Sequence, residues 1–309
     1  MALLEALHSE LIAEIADGEA LAVAGGPWLD SVLATVFPDL AEGLRTRPVA
    51  RDKPRPRSDL DSPWGQPGHV LGVLRTFQSA PVKMGRDVMF SKASWPRFLG
   101  RLRNYPFGTT VEINDLDERG FPVHRGGAYI GVRRDFRSPG WCHFNYSALA
   151  IDTGWPDSPE IQDRWAEFVK EQAARIGACA GSMTDDYSSL GETALQRAIG
   201  GLTAGVDQSR ALLRGYSWVT IVAEEQAAQL GGAEALAASG AFCDVTMLPN
   251  GAVWLRATPT INEFTSDKIR AVFETLAPVL PIGRAELRRH FMRADDFRIL
   301  DGVDAADYR

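Results

Sequence analysis

Hydrophobic and polar positions follow the clearest pattern between Arg214 and Gly283. Val219 to Val222, following Tyr216 and Trp218, form a β-branched run that fits a buried strand. Glu224 and Glu225 then open an Ala-rich stretch, placing acid at the positive end of a helix dipole, and Gly231-Gly232 splits it into two short helices ending at Gly240. Cys243, Val245 and Met247 alternate with Asp244 and Thr246. Val253, Leu255 and Ala257 alternate with Trp254, Arg256 and Thr258, and Asn250-Gly251 between the two runs predicts a hairpin with a type I′ turn. Ile269, Val272, Phe273, Leu276 and Leu280 recur at helical spacing after the candidate cap Ser266, and Pro278 should end that helix. The order βαββα predicts an α+β fold with an antiparallel sheet and helices packed on one face, the other face being wet unless something covers it.

Upstream the pattern is less regular. Leu3, Leu4, Leu7, Leu11, Ile12 and Ile15 form a helical stripe broken at Asp17-Gly18, and a second helix is expected over about Trp28 to Phe37, making 1–46 an N-terminal helical segment. Residues 47–68 are rich in proline and in both charges and read as a linker, with the basic Arg51, Lys53, Arg55 and Arg57 interleaved by Asp52, Asp59 and Asp61. Between His69 and Met183 strands are expected in HVLGVLRTF, RDVMF, Thr109 to Ile113, Ala128 to Val132 and His143 to Ile151. A short helix follows Ser94, and a long one starts at Pro159 with Ile161, Trp165, Phe168, Val169 and Ile176 on its buried stripe. Both halves thus run strand, helix, strands, long helix, which suggests two tandem βαββα-like units, 69–183 and 214–309, joined by a loop and short helix at 184–213.

Composition narrows the classes. With 309 residues, 45% hydrophobic and 24% charged, the chain can bury a substantial core. No apolar run reaches the length of a membrane span and the N-terminus lacks a basic leader, so neither a membrane anchor nor a signal peptide is expected. Cys142, Cys179 and Cys243 are isolated, which argues against a disulfide framework or zinc site and suits a cytoplasmic protein. A net charge of -7 argues against nucleic acid and suits a basic protein partner.

No glycine-rich nucleotide loop, HExxH or GxSxG is present, so no catalytic residue, metal or cofactor is assigned. Cys142 and His143 are neighbours on an expected strand and point to opposite faces, a poor nucleophile and base. Asp185-Asp186-Tyr187 reads as an acidic loop, and Asp115, Asp117 and Glu118 as a hydrophilic turn.

The runs LRGYSWVTIV, LGGAEALAASGAF, LPNGAVWLRATPT and VFETLAPVLP, preceded by DRWAEFVKEQAARIGACAGSMTDD, resemble actinobacterial relatives of the type VI immunity protein family over the second half of the chain. The resemblance implies a cytoplasmic, non-enzymatic protein that neutralises a cognate toxin by direct contact, and it carries over no catalytic residue. On that reading Asp185, Asp186 and Tyr187 are candidate contacts, with Tyr216, Trp218 and Arg256 as anchors where exposed. A second reading is an enzyme or small-molecule binder with a pocket between the two units, bearing Arg133, His143 and Tyr146. A third is a homodimer formed through a sheet edge.

Overall fold

The computed structural model describes residues 6–49, 62–79, 83–84, 87–123, 128–149, 153–186, 193–200, 205–290 and 297–309. The basic cluster at Arg51 to Arg57, with Asp52, Asp59 and Asp61, lies outside the described residues. The chain opens with β1 (Ala6–Glu14), helices α1 (Gly18–Thr35) and α2 (Pro38–Thr46), and strands β2 (Val70–Ser79), β3 (Lys83–Met84) and β4 (Val88–Met89). Helix α3 (Ser94–Gly100) and strands β5 (Gly108–Asp115), β6 (Ala128–Arg134) and β7 (Trp141–Leu149) follow. Then come α4 (Pro159–Ile176), β8 (Ala180–Thr184), α5 (Ala194–Ala198), β9 (Val219–Val222), α6 (Glu224–Gln229) and α7 (Gly232–Ala238). The hairpin β10 (Asp244–Met247) and β11 (Val253–Arg256) precedes α8 (Ser266–Leu276) and α9 (Leu287–His290). The protein is a mixed α+β structure with antiparallel strand pairing.

Two compact units divide the chain. One, here the inserted unit, is Ile15–Thr153; the other, the host unit, joins Met1–Glu14 to Gly154–Arg309. The boundary expected near residue 183 falls instead before α4, because the buried stripe of α4 belongs to the host core.

Leu3 and Leu4 lie outside the described residues, and the part of the N-terminal stripe that carries Leu7, Leu11 and Ile12, expected to be helical, is strand β1. It pairs antiparallel with β8, from His8 opposite Thr184 to Ile12 opposite Ala180. Leu7 and Leu11 are four residues apart, a spacing that keeps two side chains on one face of a helix and also on one face of a strand, so the leucines alone do not choose. Partners for the backbone choose: β8 lines up beside the segment, and the buried Leu7, Ser9, Leu11 and Ala13 then share one side of the ladder.

In the inserted unit β6 lies between β5 and β7, and β5 between β2 and β6. Helix α1 begins where Asp17 Oδ1 accepts hydrogen bonds from the amides of Glu19 and Ala20 at 2.9 and 3.0 Å. Gly18 is required there, since a Cβ would stand 1.9 Å from the Arg103 carbonyl oxygen. Through the fully buried Trp28 the helix packs on β7, with ring centroids 6.1 Å from Phe144 and 6.2 Å from Tyr146, while Phe37 closes on Tyr146 at 6.4 Å. Leu44 of α2 approaches β2 at Gly72, and Leu102, just after α3, packs against Gly25 of α1. The helices therefore stand on the sheet face that carries Val111, Ile130, Val132, Phe144 and Tyr146.

In the host unit the strands run β10-β11-β9-β8-β1. All four positions of β9 and of β11 are buried, so both faces of this sheet are covered, in contrast to the single covered face expected. Helix α4 covers the side bearing Trp254 and Arg256: Lys170 pairs with Asp244 at 3.0 Å and lies 6.0 Å from the Trp254 ring, and Asp163 pairs with Arg256 at 2.7 Å. The β10–β11 hairpin forms as expected but not through a type I′ turn. Leu248 N–H donates to Ala252 O and Gly251 N–H to Leu248 O, closing the three-residue loop Pro249-Asn250-Gly251, and only Gly251 has a positive φ, of 83°. Proline suits the second position of a type I turn and glycine the left-handed residue after it. Helix α8 ends at Leu276 and passes into a 3-10 turn containing Pro278.

Truncating Trp28 to alanine is expected to cost about 3–5 kcal/mol, read as a lower urea midpoint of the whole chain. Val23→Ala, at a site 67% exposed on the same helix, should move it by no more than about 0.5 kcal/mol.

Candidate functional site

The acidic pair at the end of β8 is turned inward. Arg298 holds Asp185 bidentately, with Nε 2.7 Å from Oδ1 and Nη2 2.6 Å from Oδ2, and its Nη1 donates to the Phe264 carbonyl at 3.0 Å. The Arg298 amide donates to Asp186 Oδ1 at 2.8 Å, and the Leu300 amide to the Tyr216 hydroxyl at 2.9 Å. Asp186 is 6% exposed; burial, reinforced by the neighbouring Asp185 charge, pushes its carboxyl up to about 7. This clasp binds the C-terminal segment, and Arg309 Nη2 donating to Leu280 O at 2.6 Å holds the last residue too.

The sequence-derived contact set is thereby dispersed. Asp185 and Asp186 face Arg298, and Tyr187 lies outside the described residues. Tyr216 packs on Phe273, and Trp218 is fully buried with its indole N–H donating to Thr258 O at 2.8 Å. Arg256 is 6% exposed, sits over the Trp218 ring at 5.2 Å and donates to Asp163 and to Pro259 O. None of these three offers an anchor at the surface, because the host sheet is covered on both sides.

Among the pocket residues, Arg133 and His143 come together and Tyr146 does not. Arg133 and His143 are register partners on β6 and β7, with Nη2 3.3 Å from Nδ1. Tyr146 has the opposite strand parity and is buried against Trp28 and Phe37. His143 Nε2 also lies 3.6 Å from Asp135 Oδ2. Burial alone would raise the Asp135 carboxyl, but hydrogen bonds with His143 and with the Ser138 and Arg137 amides outweigh it and hold the group at about 2. Cys142 points to the other side of β7, and burial pushes its thiol up to about 12, so it supplies no thiolate to His143.

The face shared by Arg133 and His143 carries a polar grid that sequence reasoning did not assemble. Glu112, Tyr129 and Ser147 stand in register across β5, β6 and β7; Thr110, Gly131 and Asn145 form the next row, and Gly108, Arg133 and His143 the third. Arg75, opposite Thr110 on β2, binds Asp87 bidentately at 2.8 and 3.0 Å and Glu112 at 2.6 Å. Gly131 leaves the room its missing side chain would take to the Asn145 amide and the Tyr129 phenol. Arg75, Glu112, Tyr129, Arg133, Asn145 and Ser147 are all half-buried. The signal was present as the period-two recurrence of polar residues in these strands. What the letters lacked was the register that sets Arg75 beside Glu112 and Tyr129 beside Ser147. The grid presents tyrosine, arginine, carboxylate and amide groups on a pleated surface, a set suited to gripping another molecule. Among the described residues no group of three or more His, Cys, Asp and Glu side chains is placed to hold a metal ion.

No family model and no curated protein matches the chain. A solved structure described as Pseudomonas aeruginosa T6SS protein PA0821 is similar in fold, with a TM-score of 0.53 and 12% identity over 91% of this chain and 75% of that one. Among the described residues no single helix is long and apolar enough to cross a membrane.

The raised Asp186 carboxyl sets a pH dependence. Protonation is favoured in the fold, so the stability it contributes is complete below about 3.8 and is lost as the pH climbs through about 7. Asp186→Asn keeps an oxygen for the Arg298 amide and cannot ionise; denaturation at pH 5 and pH 8 should show a smaller loss for the variant than for the parent. Equal losses would rule out Asp186 as their source.

Proposed function

We propose that this protein is a non-enzymatic, immunity-type binding protein acting in the cytoplasm, which neutralises a cognate bacterial toxin through the polar sheet face of its inserted unit. The carrying observation is the half-buried grid of Arg75, Glu112, Tyr129, Arg133 and Asn145, on the side of the sheet opposite α1, α2 and the Leu102 turn. Tyrosine and arginine are the residue types enriched at the energetic centres of protein interfaces, and a sheet face presents them at fixed spacing. The carboxylates of Asp87 and Glu112 already neutralise Arg75, so its desolvation by a partner is partly offset in advance.

Two further observations support the reading. The T6SS description belongs to a protein of similar fold, and the C-terminal motifs resemble the type VI immunity group. The chemistry available also fits binding better than turnover. The Asp135–His143 pair is almost wholly buried at His143, and the adjacent cysteine faces away. The small-molecule reading required Arg133, His143 and Tyr146 to converge, and Tyr146 lies across the sheet.

Co-expression of the full chain with toxins of the same genome should restore growth of a bacterial host for the cognate one and yield a complex with it that survives gel filtration. Tyr129→Ala with Arg133→Glu is expected to weaken that complex at least about 100-fold, equivalent to about 2.7 kcal/mol, while the variant still unfolds cooperatively. Undiminished binding by the double variant would remove this face from the interface, and absence of both rescue and complex would sink the immunity reading.

A further inference from the structure

A concave site lies elsewhere in the inserted unit. Helices α1 and α2 and the stretch from Phe90 to Pro96 line an open groove of about 470 Å³. Its walls are largely apolar, among them Leu33, Ala34, Leu44, Phe90 and Trp95, while Asp30, Arg45 and Lys92 supply the charged groups. Trp95 is fixed in orientation. Its indole N–H donates to Asp30 Oδ1 at 2.8 Å, and its ring stands 5.6 Å from Phe98 and 5.4 Å from Phe90.

The charges are unevenly committed. Asp30 is engaged by the indole, whereas the exposed Lys92 has no acidic partner among the described residues. Among the described residues the acidic partner of Arg45 is Glu42, at 2.6 Å on the same helix, and both side chains are more than half exposed. Such a surface pair is weak and exchanges readily for a better-placed anion. Size decides between occupants. Small-molecule sites run from roughly 300 to 1,000 Å³, and a single helical turn about 10 Å across and 5.4 Å long already fills roughly 420 Å³. A docked partner helix would therefore leave most of its length outside, whereas a compact molecule fits within the groove.

We propose that this groove binds a small amphipathic anion, an apolar chain or ring bearing one carboxylate. The apolar body lies against Leu33, Leu44, Phe90 and Trp95, and the carboxylate is drawn by Lys92 and Arg45. The site is separate from the polar sheet face, so it stands or falls independently of the toxin-binding reading.

The test uses the full chain and three probes of equal chain length below their micellar concentrations: decanoate, decanol and decyltrimethylammonium, each followed by calorimetry. Decanoate should bind saturably with one site per chain, at least tenfold tighter than the other two. Ala34→Trp, which fills the groove from an exposed position, should abolish binding with little change in melting temperature. Arg45→Glu with Lys92→Glu should invert the order, favouring the cationic probe. Loss of the quenching seen on titration in Trp95→Phe would place the ligand against that indole. Equal affinity for decanoate and decanol would overturn the charge assignment; full binding by Ala34→Trp, or no saturable binding at all, would overturn the site.

Discussion

The ladder between β1 and β8 is the constraint on which the host unit depends. It brings the first described strand against residues more than half the chain away. Next to it the Cys179 amide donates to Ile12 O at 3.0 Å across a separation of 167 residues. Backbone groups buried in a sheet must be paired, so a host unit deprived of β1 would expose one entire edge of β8. This also makes the unit discontinuous in sequence, with residues 15–153 intervening between its two parts. Closing so long a loop costs entropy that only extensive burial offsets. The fully buried strands β9 and β11 and the covering helix α4 provide that burial.

Charge is handled differently in the two units. In the host, Arg298 takes up Asp185, Arg256 takes up Asp163, and Lys170 spans Glu167 and Asp244; these contacts are directed at holding segments together. The carboxyl of Asp186, raised to about 7, shows what such internal placement costs when an acid is buried beside another acid. In the inserted unit, Arg75 with its two carboxylates, Arg133 and Tyr129 stand half-buried on the side away from the helices. That contrast is why the functional reading moves from the acidic loop of the host to the sheet of the inserted unit. The acidic loop is occupied by the protein's own C-terminal segment.

Local signals located most of the elements. The run Val219–Val222, the two helices separated at Gly231-Gly232, the hairpin around Asn250-Gly251 and the helix from Ser266 all occupy the residues their patterns indicated, as does α4 from Pro159. The hairpin's turn departs from the type I′ geometry that Asn-Gly alone predicts, because the preceding Pro249 favours the three-residue loop. The β1 segment departs from the expected helix because leucines four apart satisfy both periods. The candidate contacts were chosen by residue type, and type does not report burial: Trp218 and Arg256 look like interface anchors and serve as core.

The amino-acid sequence by itself determined the local conformations, since propensity, periodicity and turn chemistry act within a few residues. It also determined the absence of familiar catalytic motifs and the mixed α+β character. Only the tertiary structure decided that Ala6–Glu14 is a strand, that α4 covers the host sheet, that Arg298 neutralises Asp185, and that Arg75, Glu112, Tyr129 and Asn145 share one face. Each of those depends on a partner far away in the chain, and register or burial between distant segments is a property of the packed whole.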